Sequence, residues 1–264
     1  MIDMLKALWA YRGFVRSSIH NELVARFARS RLGGLWMIIH PLAQVAIYAL
    51  ILSNVLAAKL PGIDNKYAYA LYLMAGMLAW NLFSEIVGRC LTLFVEQGNL
   101  MKKMSFPRIT LPVIVIGSSL LNNALLFAAL LLVFALLGHA PTVQMLWIFP
   151  LTLTVVGLAV GIGLFFGVIN VVVRDIGQVM PIILQVWFWF TPIVYPVSIL
   201  SDSIRELMRF NPLFPIVTAY QKILVYGKFP DIQVISTTAA VALGLLVLGL
   251  FLFRRAAPEM VDAL

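Results

Sequence analysis

Long apolar runs without charged side chains constrain the fold of this chain more than any other feature. The clearest runs from Met145 to Val173 and contains no Asp, Glu, Lys or Arg. A helix rises about 1.5 Å per residue, so roughly 20 apolar residues cross the hydrocarbon layer of a bilayer. Six runs predict an all-α integral membrane protein with spans over residues 34–57, 67–87, 112–137, 145–173, 176–195 and 234–253.

The fourth and fifth runs are joined by a very short polar stretch. Arg174 and Asp175 form an opposite-charge pair there, which indicates a tight turn at the membrane surface. In the fifth run, Pro181 falls in the first helical turn, where its missing N–H costs little. Pro192 and Pro196 are expected to end or kink this helix near the far surface, where water or protein must satisfy the freed carbonyls.

Composition and charge support a membrane location. Only 11% of the 264 residues are charged, against about 25% in soluble domains. The net charge is +8, but the basic residues lie between apolar runs and form no stripe with interleaved aromatics, so we expect no nucleic-acid partner. With both termini cytoplasmic, thirteen of the nineteen Lys and Arg residues fall on the inner side, as the positive-inside rule predicts for an inner membrane protein.

The first 33 residues combine basic and apolar side chains. This mixture is typical of an amphipathic helix that lies in the membrane interface with its arginines near anionic head groups. A basic N-terminus that only sets the topology is the alternative. The stretch has no long apolar core, so we expect no cleavable signal peptide.

Residues 96–108 form a polar segment between the second and third runs. It is too polar to enter the membrane and too short to form a domain. Lys102 and Lys103 are flanked by Met101 and Met104, a combination suited to docking a short helix into a groove of another protein. A solvated loop is the alternative interpretation.

Residues 197–231 form a second irregular segment, between the fifth and sixth spans. Ser201 and Asp202 resemble a helix start, and Asn211-Pro212 separates that helix from a second apolar one. Neither helix is long enough to cross a bilayer. We therefore expect two short re-entrant or surface helices whose backbone ends are satisfied by protein.

Several residues are better explained by packing or ion pairing than by a chemical role. Cys90 is the single cysteine and is expected to pack at a helix end, because a free Cys behaves as a small hydrophobe. Glu85 is expected to reach the interface and pair with Arg89, four residues later. Glycines at Gly-x-x-x-Gly spacing in the fourth run let helix backbones approach closely: Gly157, Gly161, Gly163 and Gly167.

Sequence motifs for nucleotide hydrolysis and for metal binding are missing. Gly227-Lys228 lacks the upstream glycine of a phosphate-binding loop, and there is no His-Glu-x-x-His, Cys-x-x-Cys or Gly-x-Ser-x-Gly. Ionisable residues inside the apolar runs, which mark ion-coupled transporters, are nearly absent. Energy for uphill transport must then come from another subunit. The alternative of an enzyme acting on lipid-linked sugars would depend on Glu85, Glu96 and Asp175.

Four consecutive aromatic residues close the fifth run. Trp187 and Phe190 would share one face of a helix, and Trp189 would point elsewhere. Such rings can stack on the C–H face of a pyranose and serve as a sliding surface for sugar. Interface anchoring and packing within the bundle are the alternatives.

Four sets of motifs together resemble the transmembrane subunits of polysaccharide-exporting ABC transporters, the group that exports O-antigen, capsule and teichoic acid. Each motif alone is weak, but their order and spacing are fairly specific, and the resemblance covers nearly the whole chain. The motifs are Arg26-Phe27-Ala28-Arg29-Ser30-Arg31-Leu32-Gly33-Gly34-Leu35-Trp36 followed by Pro41-Leu42; Asn99-Leu100-Met101-Lys102-Lys103 with Phe106-Pro107-Arg108; Arg174-Asp175-Ile176 with Thr191-Pro192-Ile193; and Asn211-Pro212-Leu213.

The resemblance implies a homodimer of six-span subunits that pairs with two ATPase subunits, which bind ATP and Mg²⁺ while this chain binds no cofactor. It implies an interfacial helix over residues 1–33, a coupling segment over 96–108 and an outer gate over 197–231. The implied ATPase contacts are Asn99, Leu100, Met101, Lys102, Lys103 and Met104. Candidates for the lining of a glycan channel are Trp36, Tyr48, Trp187, Trp189, Phe190 and Tyr195, and the implied gate residues are Asn211, Pro212, Phe214 and Tyr220.

The resulting hypothesis is a transport subunit, without catalytic residues or metal ligands of its own, that exports a lipid-linked polysaccharide of O-antigen type. Three features that come from the residues alone, without the family resemblance, agree with this hypothesis: the lack of an ATPase motif, the docking-like inner segment and the short outer helices. A small-molecule exporter of the same wider superfamily is the first alternative, because it shares this architecture.

Overall fold

The computed structural model describes residues 2–27, 68–103, 106–136 and 142–257, together with the single residues Trp36, Ile39, Ala43, Ile47 and Met260. Within these residues every regular element is helical. The α-helices, in chain order, are α1 Ile2–Ala10, α2 Arg12–Phe27, α3 Ala68–Glu96, α4 Gly98–Lys103, α5 Thr110–Leu136, α6 Ile148–Val172, α7 Ile176–Trp189, α8 Asp202–Met208, α9 Leu213–Tyr226 and α10 Ile232–Ala256. The 3-10 helices Val143–Trp147 and Val197–Ile199 precede α6 and α8.

Four helices in the described part of the chain are long and apolar enough to cross a membrane. They are α3, α5, the continuous stretch Val143–Val172 that contains α6, and α10. They correspond to the predicted spans 67–87, 112–137, 145–173 and 234–253, so the prediction of an all-helical membrane protein is confirmed. The predicted span 34–57 lies outside the described residues except for four single positions, and the count of six spans stays a prediction.

Helix α7 is shorter than the span predicted over residues 176–195. It begins at Ile176, as expected, but ends at Trp189 after 14 residues. Pro192 accounts for the early end, because a proline disfavours helical backbone in the residue before it and cannot donate a hydrogen bond. The Thr191 hydroxyl donates to the Trp187 carbonyl at 2.9 Å and thereby satisfies one of the carbonyls left free at the helix end.

Helix α3 forms the centre of the bundle. In its most apolar 18-residue window, 78% of the residues are buried, against 22% in α5 and 17% in α10. Helices α5, α6, α7 and α9 all contact it. A 29-residue helix is about 43 Å long, so α3 connects the α4 end of the bundle with the opposite end, where the α8–α9 segment (residues 197–231) lies.

Glycines on α6 let that helix touch both α3 and α10 closely, which confirms the predicted role of the Gly-x-x-x-Gly spacing. A Cβ at Gly161 would lie 2.5 Å from the backbone of Leu245 on α10. At Gly163 and Gly167, a Cβ would collide with Cys90 of α3. Cys90 is fully buried at this contact, one and a half turns before the end of α3, so its predicted packing role is confirmed, although not at the helix terminus.

The N-terminal segment consists of two helices where the sequence predicted one. Helices α1 and α2 meet at Tyr11, whose N–H and C=O hydrogen-bond to Ala7 and Val15 at 3.0 Å, so helical hydrogen bonding continues across the boundary. Helix α2 packs against α5, where the side chain of Ile19 occupies the space that a side chain at Gly117 would need. Residues 28–33 of the predicted interfacial helix lie outside the described residues.

Candidate functional site: the two ends of α3

Helix α4 follows α3 directly and presents a small polar surface. Gln97 links the two helices, because its N–H bonds to the Leu93 carbonyl of α3 at 3.0 Å and its carbonyl accepts from the Met101 N–H of α4 at 2.9 Å. Asn99, Lys102 and Lys103 are exposed. Met101, by contrast, is only 7% exposed and packs into the core of this chain.

The sequence predicts a docking surface made of a basic pair between two methionines. In the structure, the exposed part of this surface consists of different residues. Of the six predicted ATPase contacts, Asn99, Lys102 and Lys103 lie on the exposed surface, and Leu100 is partly exposed. Met101 faces inward, and Met104 lies outside the described residues. A partner that docks here meets amide and ammonium groups rather than a methionine pair.

A charged cluster centred on Arg89 lies near α4. The Arg89 guanidinium contacts a Glu22 carboxylate oxygen on α2 at 2.5 Å and Glu85 at 3.6 Å. It also donates hydrogen bonds to the hydroxyls of Ser118 at 2.7 Å and Ser119 at 3.2 Å on α5. The predicted pairing of Glu85 with Arg89 is confirmed, and it belongs to a cluster that ties α2, α3 and α5 together.

Glu22 and the two serines were not predicted to join this cluster, although the sequence contains a signal for part of it. Ser118 and Asn122 are four residues apart on α5 and therefore share a helix face. Asn122 donates to Glu85 at 3.0 Å, on the same side as the serine contacts. A cavity of about 470 Å³ adjoins the cluster, between α2, α3, α4 and α5, and its lining includes Ser18, Glu22, Arg89, Glu96, Gln97 and Leu100.

A side-chain amide fixes the turn between α6 and α7, which the sequence placed correctly at Arg174-Asp175. Asn170 is 4% exposed, donates to the Leu91 carbonyl of α3 at 3.0 Å and accepts from the Gly177 N–H at 2.8 Å. Because both polar ends of the amide are used, the start of α7 is held at a fixed position relative to α3.

At the opposite end, the N-terminal half of α3 contacts the chain that follows α7. The Tyr69 hydroxyl donates to the Val194 carbonyl. Gln221 of α9, which is 2% exposed, donates to the Pro192 carbonyl at 2.9 Å, and a Cβ at Gly76 would lie 3.0 Å from its amide nitrogen. The irregular backbone after α7 is therefore hydrogen-bonded from both α3 and α9.

Asn211, one of the predicted gate residues, links the end of α7 to the start of α9 with four hydrogen bonds. Its carbonyl oxygen accepts from the indole N–H of Trp187 at 2.8 Å and from the Leu213 N–H at 2.9 Å. Its amide nitrogen donates to the Phe190 carbonyl and to the Thr191 hydroxyl, both at 2.9 Å. All hydrogen-bonding positions of the amide are used, so the helix interruption at Asn211-Pro212 is held by hydrogen bonds to the end of α7.

The other predicted gate residues lie on both sides of this junction. Pro212 is the residue before the first turn of α9, and Phe214 is partly exposed in that turn. Tyr220 is completely buried, and its hydroxyl lies 2.7 Å from that of Thr152 on α6. Tyr220 therefore anchors α9 to α6.

The predicted channel aromatics occupy different environments. Trp187 packs edge-on against Phe83 of α3, with ring centroids 5.2 Å apart, and bonds to Asn211. Trp189 and Phe190 are 59% and 50% exposed, and Tyr195 donates to the Trp189 carbonyl at 2.5 Å. Trp36 is described only as a single position, 38% exposed, and Tyr48 lies outside the described residues.

The sequence matches known proteins over most of its length. Residues 15–225 match the ABC-2 type transporter family, and this stretch includes the Arg89 cluster, α4 and Asn211. Over the full length of both chains, the protein is 29% identical to the O-antigen export system permease protein RfbA of Myxococcus xanthus. It is 24% identical to the RfbA permease of Klebsiella pneumoniae over 89% of both chains, and 24% identical to the polysialic acid transport protein KpsM of Escherichia coli over 89% of this chain and 90% of KpsM.

The family match covers well over half of the sequence and includes both ends of α3. The candidate spans α3, α5 and Val143–Val172, the short polar helix after α3 and Asn211 lie within it, and α10 follows it. These observations together establish that the chain belongs to the ABC-2 type transporter family.

Proposed function

We propose that this chain is the transmembrane subunit of an ATP-driven exporter that moves a lipid-linked polysaccharide of O-antigen type across the inner membrane. The observation that carries the proposal is the full-length similarity to a permease named for O-antigen export. The proposed assembly is a homodimer with two ATPase subunits, which supply ATP hydrolysis. Both termini and α4 then lie in the cytoplasm.

The geometry supports a route by which motion at the ATPase reaches the outer surface. A push on the exposed face of α4 acts on α3, because α4 follows the last turn of α3 directly. At its other half, α3 contacts the backbone after α7 and the Gln221 region of α9. In this proposal α8 and α9 are re-entrant helices that form the outer gate, and Trp189 and Phe190 offer exposed rings to the glycan.

Deletion of the gene tests the proposed substrate. Long polysaccharide should disappear from the cell surface and accumulate inside, and a plasmid copy of the gene should restore it. A partner that carries a Walker motif should copurify with the tagged protein. Unchanged surface polysaccharide in the deletion strain would refute polysaccharide export, and drug-stimulated ATPase activity in the same strain background would favour a small-molecule exporter.

The role of α4 is tested by replacing Lys102→Glu together with Lys103→Glu. Because both side chains are exposed, the protein should insert normally, and ATP hydrolysis by the complex should no longer drive export. The matched control is Arg254→Glu with Arg255→Glu, an exposed basic pair at the end of α10 that carries the same charge change. Equal export in the two double variants would exclude α4 as the coupling surface.

A further inference from the structure

A groove of about 490 Å³ lies between α2 and α5, on a different sector of α2 from the Arg89 cluster. Arg12, Arg16 and His20 line it from α2, and Val113 and Leu121 line it from α5. Residues four apart lie above one another on a helix, so the three basic side chains form a row along one edge. The remaining lining is aliphatic: Leu8, Val15, Ile19 and Leu23.

The row of basic side chains is available to a ligand. Arg12, Arg16 and His20 are all exposed. Arg12 bonds to the Trp9 carbonyl at 2.9 Å and stacks over the Trp9 ring at 5.0 Å, and these contacts leave its charge unneutralised. The residues that line the groove include no carboxylate, and Glu22 on the neighbouring sector is engaged with Arg89.

The aliphatic wall continues onto a surface suited to lipid. Helix α5 is a candidate membrane span with little of its surface buried, and Leu121 is 46% exposed at the groove. A soluble anion would use only the basic row and leave the aliphatic wall in water. A phosphate that carries an acyl chain satisfies both parts, because the head group meets the cations and the chain lies along the wall.

We propose that this groove holds one anionic membrane phospholipid, with its phosphate between Arg12 and Arg16 and one acyl chain along Val113 and Leu121. Such a lipid contacts α2 and α5 at once and reinforces the contact of Ile19 at Gly117. It thereby holds α2 in the position where Glu22 reaches Arg89. The proposal depends on charge and shape in the groove and does not depend on which substrate is exported.

Native mass spectrometry of the full chain tests this proposal. The protein is taken from phosphatidylcholine nanodiscs that contain graded phosphatidylglycerol, and retained phosphatidylglycerol is counted. Arg12→Gln with Arg16→Gln should lower the apparent affinity by about fivefold per arginine. Arg254→Gln with Arg255→Gln removes the same charge outside the groove and should leave retention unchanged. Equal losses in the two pairs would overturn the proposal, because binding would then follow net charge alone.

The proposed contact between the acyl chain and the aliphatic wall is tested separately. Leu121→Trp fills the groove and keeps all three basic side chains, so retention should fall severalfold. Leu132→Trp on the same helix, where Leu132 is 52% exposed, is the matched control and should bind normally. Undecaprenyl diphosphate is the competing occupant. If it is retained at the groove and phosphatidylglycerol is not, the resident-phospholipid proposal is wrong.

Discussion

Near its C-terminus, α3 is held by the ion pair between Arg89 and Glu22. In its N-terminal half the contacts described above are neutral: the α3 residue Tyr69 donates to the Val194 carbonyl, and Gly76 lies against the Gln221 amide. The charged side chains remain in partial contact with solvent, with 25% and 28% of their surfaces exposed. Gln221 at the other end is 2% exposed, and its partner is the Pro192 carbonyl.

Desolvation explains why the two ends use different chemistry. A charge that keeps part of its contact with water loses less hydration than a fully buried one, and its ion pair therefore costs less to break and re-form. Inside the bundle an unpaired charge is very costly, whereas a neutral amide is tolerated when all its hydrogen bonds are made. We infer that the charged contact is the more easily rearranged of the two, and that the amide contacts set a fixed geometry.

The largest effect should come from Asn211→Leu. The change leaves the Trp187 indole N–H and the Phe190 carbonyl without their partner, and it should lower the free energy of unfolding by about 3 kcal/mol. Thermal unfolding of the purified protein measures this loss. Asn99→Leu, at an exposed position on α4, is the control, and an equal loss there would contradict the importance of the Asn211 hydrogen bonds.

Gln221→Leu should have the next largest effect. Leucine nearly matches glutamine in volume but removes the donor to the Pro192 carbonyl, so we expect a loss of about 1–2 kcal/mol in the free energy of unfolding. High salt should not change that loss, because the interaction is neutral and buried. Gln178→Leu replaces an exposed glutamine on α7 and should be nearly silent in the same unfolding assay.

Glu22→Gln should weaken the Arg89 contact by less, about 1 kcal/mol, because Arg89 keeps Glu85, Ser118 and Ser119 as partners and part of the pair stays in contact with water. The difference from the unchanged protein should shrink in 1 M salt, where the Debye length is about 3 Å. A loss that is independent of salt would show that the amide and the carboxylate differ in packing rather than in charge. A salt titration of both variants therefore distinguishes the charged contact at Arg89 from the neutral contact at Gln221.

The smallest effect is expected for Asp202→Asn. Asp202 pairs with Arg205 at 3.3 Å, but its side chain is 96% exposed, and exposed pairs of this kind add little stability. The midpoint of thermal unfolding should not change measurably. A clear shift would mean that exposed charges in the α8–α9 segment matter as much as the half-buried pair at Arg89.

Much of the helix arrangement follows from the sequence because apolar length alone specifies a membrane span. Glycine spacing on α6 and the i,i+4 relation of Glu85 to Arg89 are equally local and were predicted correctly. Asn170 and Gln221 are different, because their partners at Leu91 and Pro192 are remote in sequence. No local pattern reveals which carbonyl in a folded bundle lacks a donor, so these contacts could be found only in the structure.

Pro192 predicts an end or kink of α7, but the span predicted to residue 195 is too long, and the inward position of Met101 is not predicted. Hydropathy does not separate helical from irregular apolar backbone, and therefore residues 190–195 read as part of a span. Met101 and Lys102 are adjacent on a one-and-a-half-turn helix, and only the tertiary contacts decide which of them faces outward.

The burial of Cys90 gives this protein a practical advantage for labelling experiments. It is the sole cysteine of the chain and has no accessible surface at its contact with α6. Water-soluble maleimides should therefore react with a thiol introduced at an exposed position such as Lys102 or Trp189 while sparing the native one. Topology mapping and distance measurements by paired spin labels can start from the unaltered sequence, which avoids a substitution at a tightly packed helix crossing.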